Sequence, residues 1–196
     1  MDQAVQNALY TVELCQQAIP VYRGMPAPLI RPLFTAQFVH GQDGMGDIGL
    51  PLTGRQPAAG HAVSVLVETI HRFAGNITLV TLGPLTNVAS PLRQDPLIAK
   101  AVKECVIMGG TGQGHGNITP VGEYNFWADP EAAKIVFESG MRIKNGWLGH
   151  LAHLCHVQPA RYSQTSRYRH AAGDVLCGYS SNLNLIRHDP IQATGL

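Results

Sequence analysis

The chain has little of several features that mark specialised classes of protein. Its 14 basic and 13 acidic residues leave a net charge of +1, so no basic excess favours a nucleic-acid partner. No apolar run is long enough to span a membrane, and the start MDQAVQNALY lacks the charged and apolar regions of a signal peptide. The 4 cysteines are far apart, which favours reduced thiols over a disulfide framework. These absences predict a globular protein of the cytoplasm.

From Met1 to about Lys144 the sequence alternates between strand and helix patterns. The patterns predict helices over 2–17, 61–73, 85–89, 96–102 and 129–139, and strands over 19–24, 77–82 and 105–108. Short apolar strands that alternate with helices predict an α/β fold, with a parallel sheet covered on both faces. Ligands of such sheets bind at the carboxyl ends of the strands. We therefore expect the loops after Leu82 and Met108 to meet there with the loop that carries His40.

The most polar of these loops lies within residues 108–133, which read MGGTGQGHGNITPVGEYNFWADPEAA. Asn117, Glu123 and Asn125 follow a predicted buried strand, and two amides with a carboxylate suit a polyhydroxylated ligand such as a sugar. The alternative is a polar surface loop. The preceding glycines lack the Lys-Ser/Thr ending of a nucleotide-phosphate loop. Asp129, which is followed by Pro130, is predicted to be a helix N-cap rather than a ligand.

Two other motifs have both a functional and a structural interpretation. Residues 40–47, HGQDGMGD, form either a ligand loop with a histidine and two aspartates or a solvated turn in which glycine supplies positive φ. In GPLTN, residues 83–87, we expect Thr86 or Asn87 to cap the following helix.

Four motifs, in this order, resemble the inosine-uridine preferring nucleoside hydrolase family: HGQDGMGD, TLGPLTNVA, VIMGG and GNITPVGEYNFWADPEAA. The resemblance covers roughly residues 4–144. It implies a mainly parallel central sheet flanked by helices, a bound Ca²⁺ ion, and hydrolysis of the N-glycosidic bond of ribonucleosides to ribose and free base. Members are often dimers or tetramers, so it also implies a homo-oligomer. A preference for purine or pyrimidine nucleosides is not readable from these motifs.

The resemblance also implies roles for individual residues. Leu82 matches the position whose backbone carbonyl coordinates calcium, and His40 matches a histidine near the nucleobase, where it would assist the departing base. Cleavage of an N-riboside passes through an oxocarbenium-like sugar, and a cation that holds two hydroxyls positions the sugar and lowers the pKa of a bound water. The sugar pocket would be formed by Met108, which lines it, and by three ligands of the ribose hydroxyls: Asn117, Glu123 and Asn125.

One departure from the family concerns the metal. The family begins with a DxDxxxDD motif that supplies metal carboxylates and the general base, whereas no DxD or DD pair occurs anywhere in this sequence. Calcium prefers six to eight hard oxygen ligands. The remaining ligands would be one backbone carbonyl and side chains of the loop, which are too few for tight calcium binding. We therefore expect an N-terminally truncated and incomplete sheet with an open strand edge, and weak or absent turnover. The alternative is a catalytically inactive remnant that binds ribosides weakly or associates with a full-length relative.

A second departure divides the chain into a hydrolase core fragment, residues 1–144, and a poorly patterned tail, residues 145–196. The tail contains no Glu, Lys, Phe or Met. One permitted choice of codons for IKNGWLGH is ATC AAA AAT GGT TGG CTG GGA CAT. When one A is removed from its run of A, the same nucleotides encode IKMVGWD, which resembles the family sequence. We therefore hypothesise that the tail is out-of-frame translation. Sequencing the gene and transcript across codons 142–148 tests this, and an intact frame there contradicts it.

The tail also carries two motifs that this hypothesis makes accidental. One is a zinc-like cluster of His150, His153, Cys155 and His156, although no second ligand group lies at a zinc-finger spacing. The other is His188-Asp189-Pro190, which resembles a late family motif that bears a catalytic histidine and a calcium carboxylate.

Overall fold

The computed structural model describes residues 3–49, 54–112 and 114–146, together with the backbone of residues 184–187. Its helices are α1 (Gln3–Leu14), α2 (Gln37–His40), α3 (Ala62–Arg72), α4 (Thr86–Gln94), α5 (Ile98–Ala101), α6 (Tyr124–Ala128) and α7 (Pro130–Glu138). Its strands are β1 (Ile77–Thr81), β2 (Val102–Met108), β3 (Ile143–Gly146) and β4 (Asn184–Arg187). None of the helices in these ranges has the length and apolar character needed to cross a membrane.

The strands form one sheet in the order β3-β2-β1-β4. The first three are parallel, with Leu79 opposite Cys105 and Cys105 opposite Ile143. This confirms the predicted mainly parallel α/β sheet. The edge of β1 that faces away from β2 is paired with β4, in antiparallel orientation. The boundary predicted after Lys144 falls inside β3, which continues to Gly146.

Apolar alternation explains how the sheet packs. Along β1, Ile77, Leu79 and Thr81 are buried, whereas Thr78 and Val80 between them are half-buried. The buried face packs with apolar side chains of α3, α4, α5, β2 and α7 in one continuous core. Along β1, one face is therefore buried completely and the other only in part. Both parallel crossovers bring the carboxyl ends of their strands to the same edge of the sheet.

The prediction of a strand over residues 19–24 is wrong. Only Arg23 makes a β-bridge there, to His61. The segment lies beside residues 58–62 instead, where the amide of Ala58 donates to the carbonyl of Val21 at 2.8 Å. Pro20 has no N–H to donate, and the partner segment is a loop rather than a strand, so the pairing does not extend.

The predicted cap of α4 is also wrong. Leu85 is the N-cap, and it makes no side-chain cap bond. Thr86 Oγ1 instead donates to Asp129 Oδ2 at 2.5 Å, and Asn87 Oδ1 accepts from the amide of Met25 at 2.8 Å. The zinc-like cluster and the His188-Asp189-Pro190 motif lie outside the described residues.

Candidate active site

The six site residues that the sequence predicts line a single cavity of about 410 Å³. They come from α2, from the residues after β1 and at the end of β2, and from the loop that leads into α6, so the carboxyl ends of the parallel strands meet the cavity as expected. The six are His40, Leu82, Met108, Asn117, Glu123 and Asn125. Five further residues, which the sequence did not indicate, complete the lining: Ala36, Phe38, Val39, Ile118 and Tyr124.

Glu123 organises the loop and also faces the cavity. It is the N-cap of α6, and its Oε1 accepts from the amide of Asn125 at 2.9 Å. Its Oε2 accepts from the amides of Gly110 at 2.9 Å and Phe126 at 3.3 Å. A carboxylate has about four acceptor positions, so roughly one remains, on Oε1. Glu123 therefore offers the cavity a single strong acceptor.

The two amide side chains complement that acceptor. Asn125 Nδ2 donates to Met108 O and Sδ, both at 3.1 Å, which leaves Oδ1 as an acceptor. Asn117 Oδ1 accepts from the amide of Tyr124 at 2.8 Å, which leaves Nδ2 as a donor. A hydroxyl both donates and accepts, so this mixture of donor and acceptors suits adjacent hydroxyl groups. We call these side chains, with Glu123, the polar side of the cavity.

Other residues that line the cavity are apolar or aromatic. Phe38 and Val39 contribute from α2, Ile118 from the loop after β2, and Tyr124 from the start of α6. Phe38 and Val39 are 64% and 63% exposed, so their side chains are accessible to a ligand. We call these four residues the apolar wall. Two sequence signals could have indicated it: the apolar pair directly before His40, and the tyrosine between Glu123 and Asn125.

The motif of residues 40–47 follows its structural interpretation. Asp43 Oδ1 accepts from the amides of Met45 at 2.7 Å and Asp47 at 3.0 Å, and these bonds, that of Met45 first, hold the pKa of the Asp43 carboxyl below its ordinary value. Gly41 has φ +80°, and a Cβ there would lie 2.7 Å from the Asp47 carboxylate. The aspartates therefore fold the loop that follows His40.

Asp129 is fully buried and is the N-cap of α7, as predicted. Its Oδ1 accepts from the amide of Ala132 at 3.0 Å. Its Oδ2 accepts from the amide of Leu29 at 3.0 Å as well as from Thr86 Oγ1 at 2.5 Å. One carboxylate thus joins α4, α7 and the segment that contains Leu29.

That segment, residues 25–36, crosses the helices and leads directly into α2; we call it the strap. Its anchors are side chains of the helices that it crosses or of their N-caps. Tyr124 Oη donates to the carbonyl of Phe34 at 2.6 Å, and Arg31 forms a two-pronged ion pair with Glu131, with its closest N–O distances at 3.0 Å. Asn87 and Asp129 accept from strap amides, as described above. The strap thereby determines where α2 and His40 lie.

The described residues do not fit a calcium site. Within them, no group of three or more His, Cys, Asp or Glu side chains could hold a metal ion. Among the residues that line the cavity, Glu123 is the one carboxylate, and backbone amides already occupy most of its acceptor positions. Calcium prefers about six to eight hard oxygen ligands, so the donors here suit sugar hydroxyls better than a cation.

A mainly parallel α/β sheet with a cavity at the carboxyl ends of its strands is typical of α/β proteins that bind small molecules. Comparison with known proteins places the chain within that class. The sequence profile of the inosine-uridine preferring nucleoside hydrolases matches residues 1–191. The chain belongs to this family.

Individual relatives agree with the family profile. The chain is 42% identical over 144 residues to the pyrimidine-specific ribonucleoside hydrolase RihB of Escherichia coli, covering 73% of this chain and 45% of RihB. Among solved structures, the plant nucleoside hydrolase PpNRh1 matches with a TM-score of 0.72 and 39% identity over 75% of this chain and 47% of that one. The purine-preferring ribonucleoside hydrolase of Gardnerella vaginalis matches with a TM-score of 0.72 and 31% identity, over 76% and 48%. The chain therefore spans about half the length of these relatives.

Proposed function

We propose that the cavity binds a ribonucleoside, with the ribose on the polar side and the base against the apolar wall. One observation carries the proposal: six residues chosen from the sequence for this ligand line the same cavity. Its polar groups are a donor on Asn117 and acceptors on Glu123 and Asn125, which match the alternating needs of vicinal hydroxyls. A flat base fits beside aromatic and aliphatic side chains.

The reaction that goes with this site is hydrolysis of the N-glycosidic bond, which releases ribose and a free base. Bond cleavage develops positive charge on the sugar ring. The Glu123 carboxylate, held rigid by three backbone amides, would oppose that charge without having to reorganise. His40, at the end of α2, lies in the same cavity and would donate a hydrogen bond to the departing base.

Calcium is the ion that the family resemblance implies, but the described residues do not provide its ligands or a free carboxylate to take a proton from water. We therefore propose that this polypeptide binds ribosides and turns them over weakly or not at all. Relatives named as pyrimidine-specific and purine-preferring share the family, so we propose a ribonucleoside without assigning its base. The cytoplasmic location and the homo-oligomer also stay proposals.

Calorimetric titration with D-ribose and 2-deoxy-D-ribose tests the binding. We expect ribose to bind about tenfold more tightly, because one lost hydroxyl leaves a buried polar group unpaired at a cost of about 1–3 kcal/mol. In Asn125→Ala the ribose affinity should fall by a similar factor, whereas Asn76→Ala, an exposed asparagine after α3, is the matched control. Circular dichroism confirms that the variants fold. Equal binding of the two sugars would contradict the proposed polar side.

Turnover is measured separately, as ribose released from inosine or uridine with and without a chelator. We expect little or no release and no stoichiometric calcium in equilibrium dialysis. Release that the chelator abolishes would refute the claim that the chain binds but does not hydrolyse its ligand, while leaving the ribose site intact.

A further inference from the structure

Tyr124 touches both the polar side of the cavity and the strap. Its amide donates to Asn117 Oδ1 at 2.8 Å, and its hydroxyl donates to the carbonyl of Phe34 at 2.6 Å. Tyr124 also lines the cavity. A single residue therefore joins, through its backbone amide and its hydroxyl, the group that would hold ribose to the segment that leads into α2.

The helix at the end of that segment has little to hold it in place by itself. α2 is four residues long, buries none of them, and has no side-chain cap at Ala36. Short isolated helices are unstable in water, because nucleation costs more than one turn of hydrogen bonds returns. The position of Phe38 and Val39 at the cavity therefore depends on contacts made outside the helix.

Those contacts hold α2 from its two ends. At the far end, the carbonyl of His40 accepts from the amide of Gly46 at 2.7 Å, within the loop that follows the helix. At the near end, the ring of Phe34 lies edge-on to Phe38, with centroids 6.1 Å apart, and to Trp127, with centroids 5.2 Å apart. Phe34 is also the residue whose carbonyl accepts the Tyr124 hydroxyl. The near end is thus attached to α6 through Phe34.

We propose that the Tyr124 hydroxyl is a positioning group for the base half of the site: it holds Phe34, and through Phe34 the α2 side chains of the apolar wall, against the ligand. This inference rests on the proposed function and adds a specific residue and role to it. Burial raises the pKa of the Tyr124 phenol, so the hydroxyl remains a donor throughout the neutral range.

The proposal separates the two halves of the ligand. D-ribose alone would touch the polar side, which needs the Tyr124 amide but not its hydroxyl. A riboside with a base would also need the apolar wall. Tyr124→Phe keeps the amide and the ring and removes only the hydroxyl, so it should weaken riboside binding while leaving ribose binding unchanged.

The test uses the full chain, with Tyr22→Phe as the matched control because Tyr22 is not among the residues that line this cavity. The probes are D-ribose and pseudouridine, whose carbon–carbon glycosidic bond resists hydrolysis. In Tyr124→Phe we expect the Kd of pseudouridine to rise about three- to tenfold, the usual effect of one lost hydrogen bond, and the Kd of ribose to change less than about twofold. Tyr22→Phe should change neither Kd.

Hydrogen exchange provides a readout without ligand. The α2 amides of Val39 and His40 bond to the carbonyl of Ala36, both at 3.0 Å, and should exchange faster in Tyr124→Phe than in the wild type or the control. Equal weakening of both probes, or unchanged exchange and affinities, would overturn the positioning role. Faster exchange with an unchanged affinity ratio would also overturn it, while the proposed function would stand. If the wild type binds neither D-ribose nor pseudouridine, both proposals are overturned.

Discussion

Replacing Asp129 by asparagine tests whether one buried carboxylate joins three parts of the structure. Its two oxygens accept from the amides of Ala132 and Leu29 and from the hydroxyl of Thr86. Asparagine has a single side-chain oxygen. If that oxygen caps α7 through Ala132, the new NH₂ group faces the amide of Leu29, and if the amide flips, the cap is lost instead. Either orientation leaves a buried donor without a partner.

The magnitude follows from these contacts. A buried donor left unpaired costs about 1–3 kcal/mol. Loss of the negative charge at the N-terminus of α7 costs up to about 1 kcal/mol more, because that charge is attracted to the positive end of the helix dipole. We therefore expect Asp129→Asn to lower the free energy of unfolding by about 1–4 kcal/mol, a large share of the roughly 5–15 kcal/mol typical of a domain. For an m-value of about 2 kcal/mol per M, the urea midpoint falls by about 0.5–2 M.

Urea titration followed by circular dichroism measures this change. Glu131→Gln is the matched control, since it removes a neighbouring carboxylate in an exposed pair with Arg31 and should have little effect. Thr86→Val should fall between the two, because it removes one of the three bonds to Asp129. A midpoint for Asp129→Asn within the range of the control would refute the reasoning that all three donors need the two carboxylate oxygens.

Two further predictions concern titratable groups. Burial raises the pKa of the Cys105 thiol to about 12. At pH 8 native Cys105 should therefore resist alkylation while exposed Cys15 reacts, as peptide mass mapping would show. Because the thiol of the unfolded chain ionises at a lower pH than that of the folded chain, the free energy of unfolding should fall as pH rises from about 9 towards 12. The hydrogen bond from His71 lowers the pKa of Asp95, so its contribution to stability is present above the usual carboxyl pKa of about 3.9 and is lost as pH falls through the lowered value. Asp95→Asn should therefore flatten the acid limb of the stability curve, and an unchanged limb would contradict this.

The fold was predictable where local signals agreed with one another. Apolar runs bounded by Gly83 and Gly109 indicated β1 and β2, and Asp129-Pro130 indicated the start of α7, since each signal depends on chemistry within a few residues. Asn117, Glu123 and Asn125 were predictable because their loop follows a buried strand, whereas His40, Leu82 and Met108 were predicted from the resemblance to the family. Parallel strands place the ends of both loops at one edge of the sheet, whatever the distance between them in the sequence.

The failures have a common physical cause, which is competition from distant partners. Thr86 and Asn87 have the composition of helix caps, yet their side chains bond to Asp129 and Met25. No local sequence pattern indicates a hydrogen-bond partner that lies 43 or 62 residues away. The same holds for the strap, whose anchors lie up to 100 residues from the amides that they bind.

The hydrogen bonds of three acidic residues show why a sugar-binding motif and a catalytic centre are separate predictions. Glu123, Asp129 and Asp43 each accept two or three hydrogen bonds, all but one of them from backbone amides. A carboxylate used in this way fixes a loop or a helix start and has little capacity left for a cation or a proton from water. The proposed recognition of hydroxyls requires only one free acceptor, for which Glu123 has room, and the side-chain amides of Asn117 and Asn125. Hydrolysis requires further oxygens that they do not supply, so binding and turnover should separate experimentally in this chain.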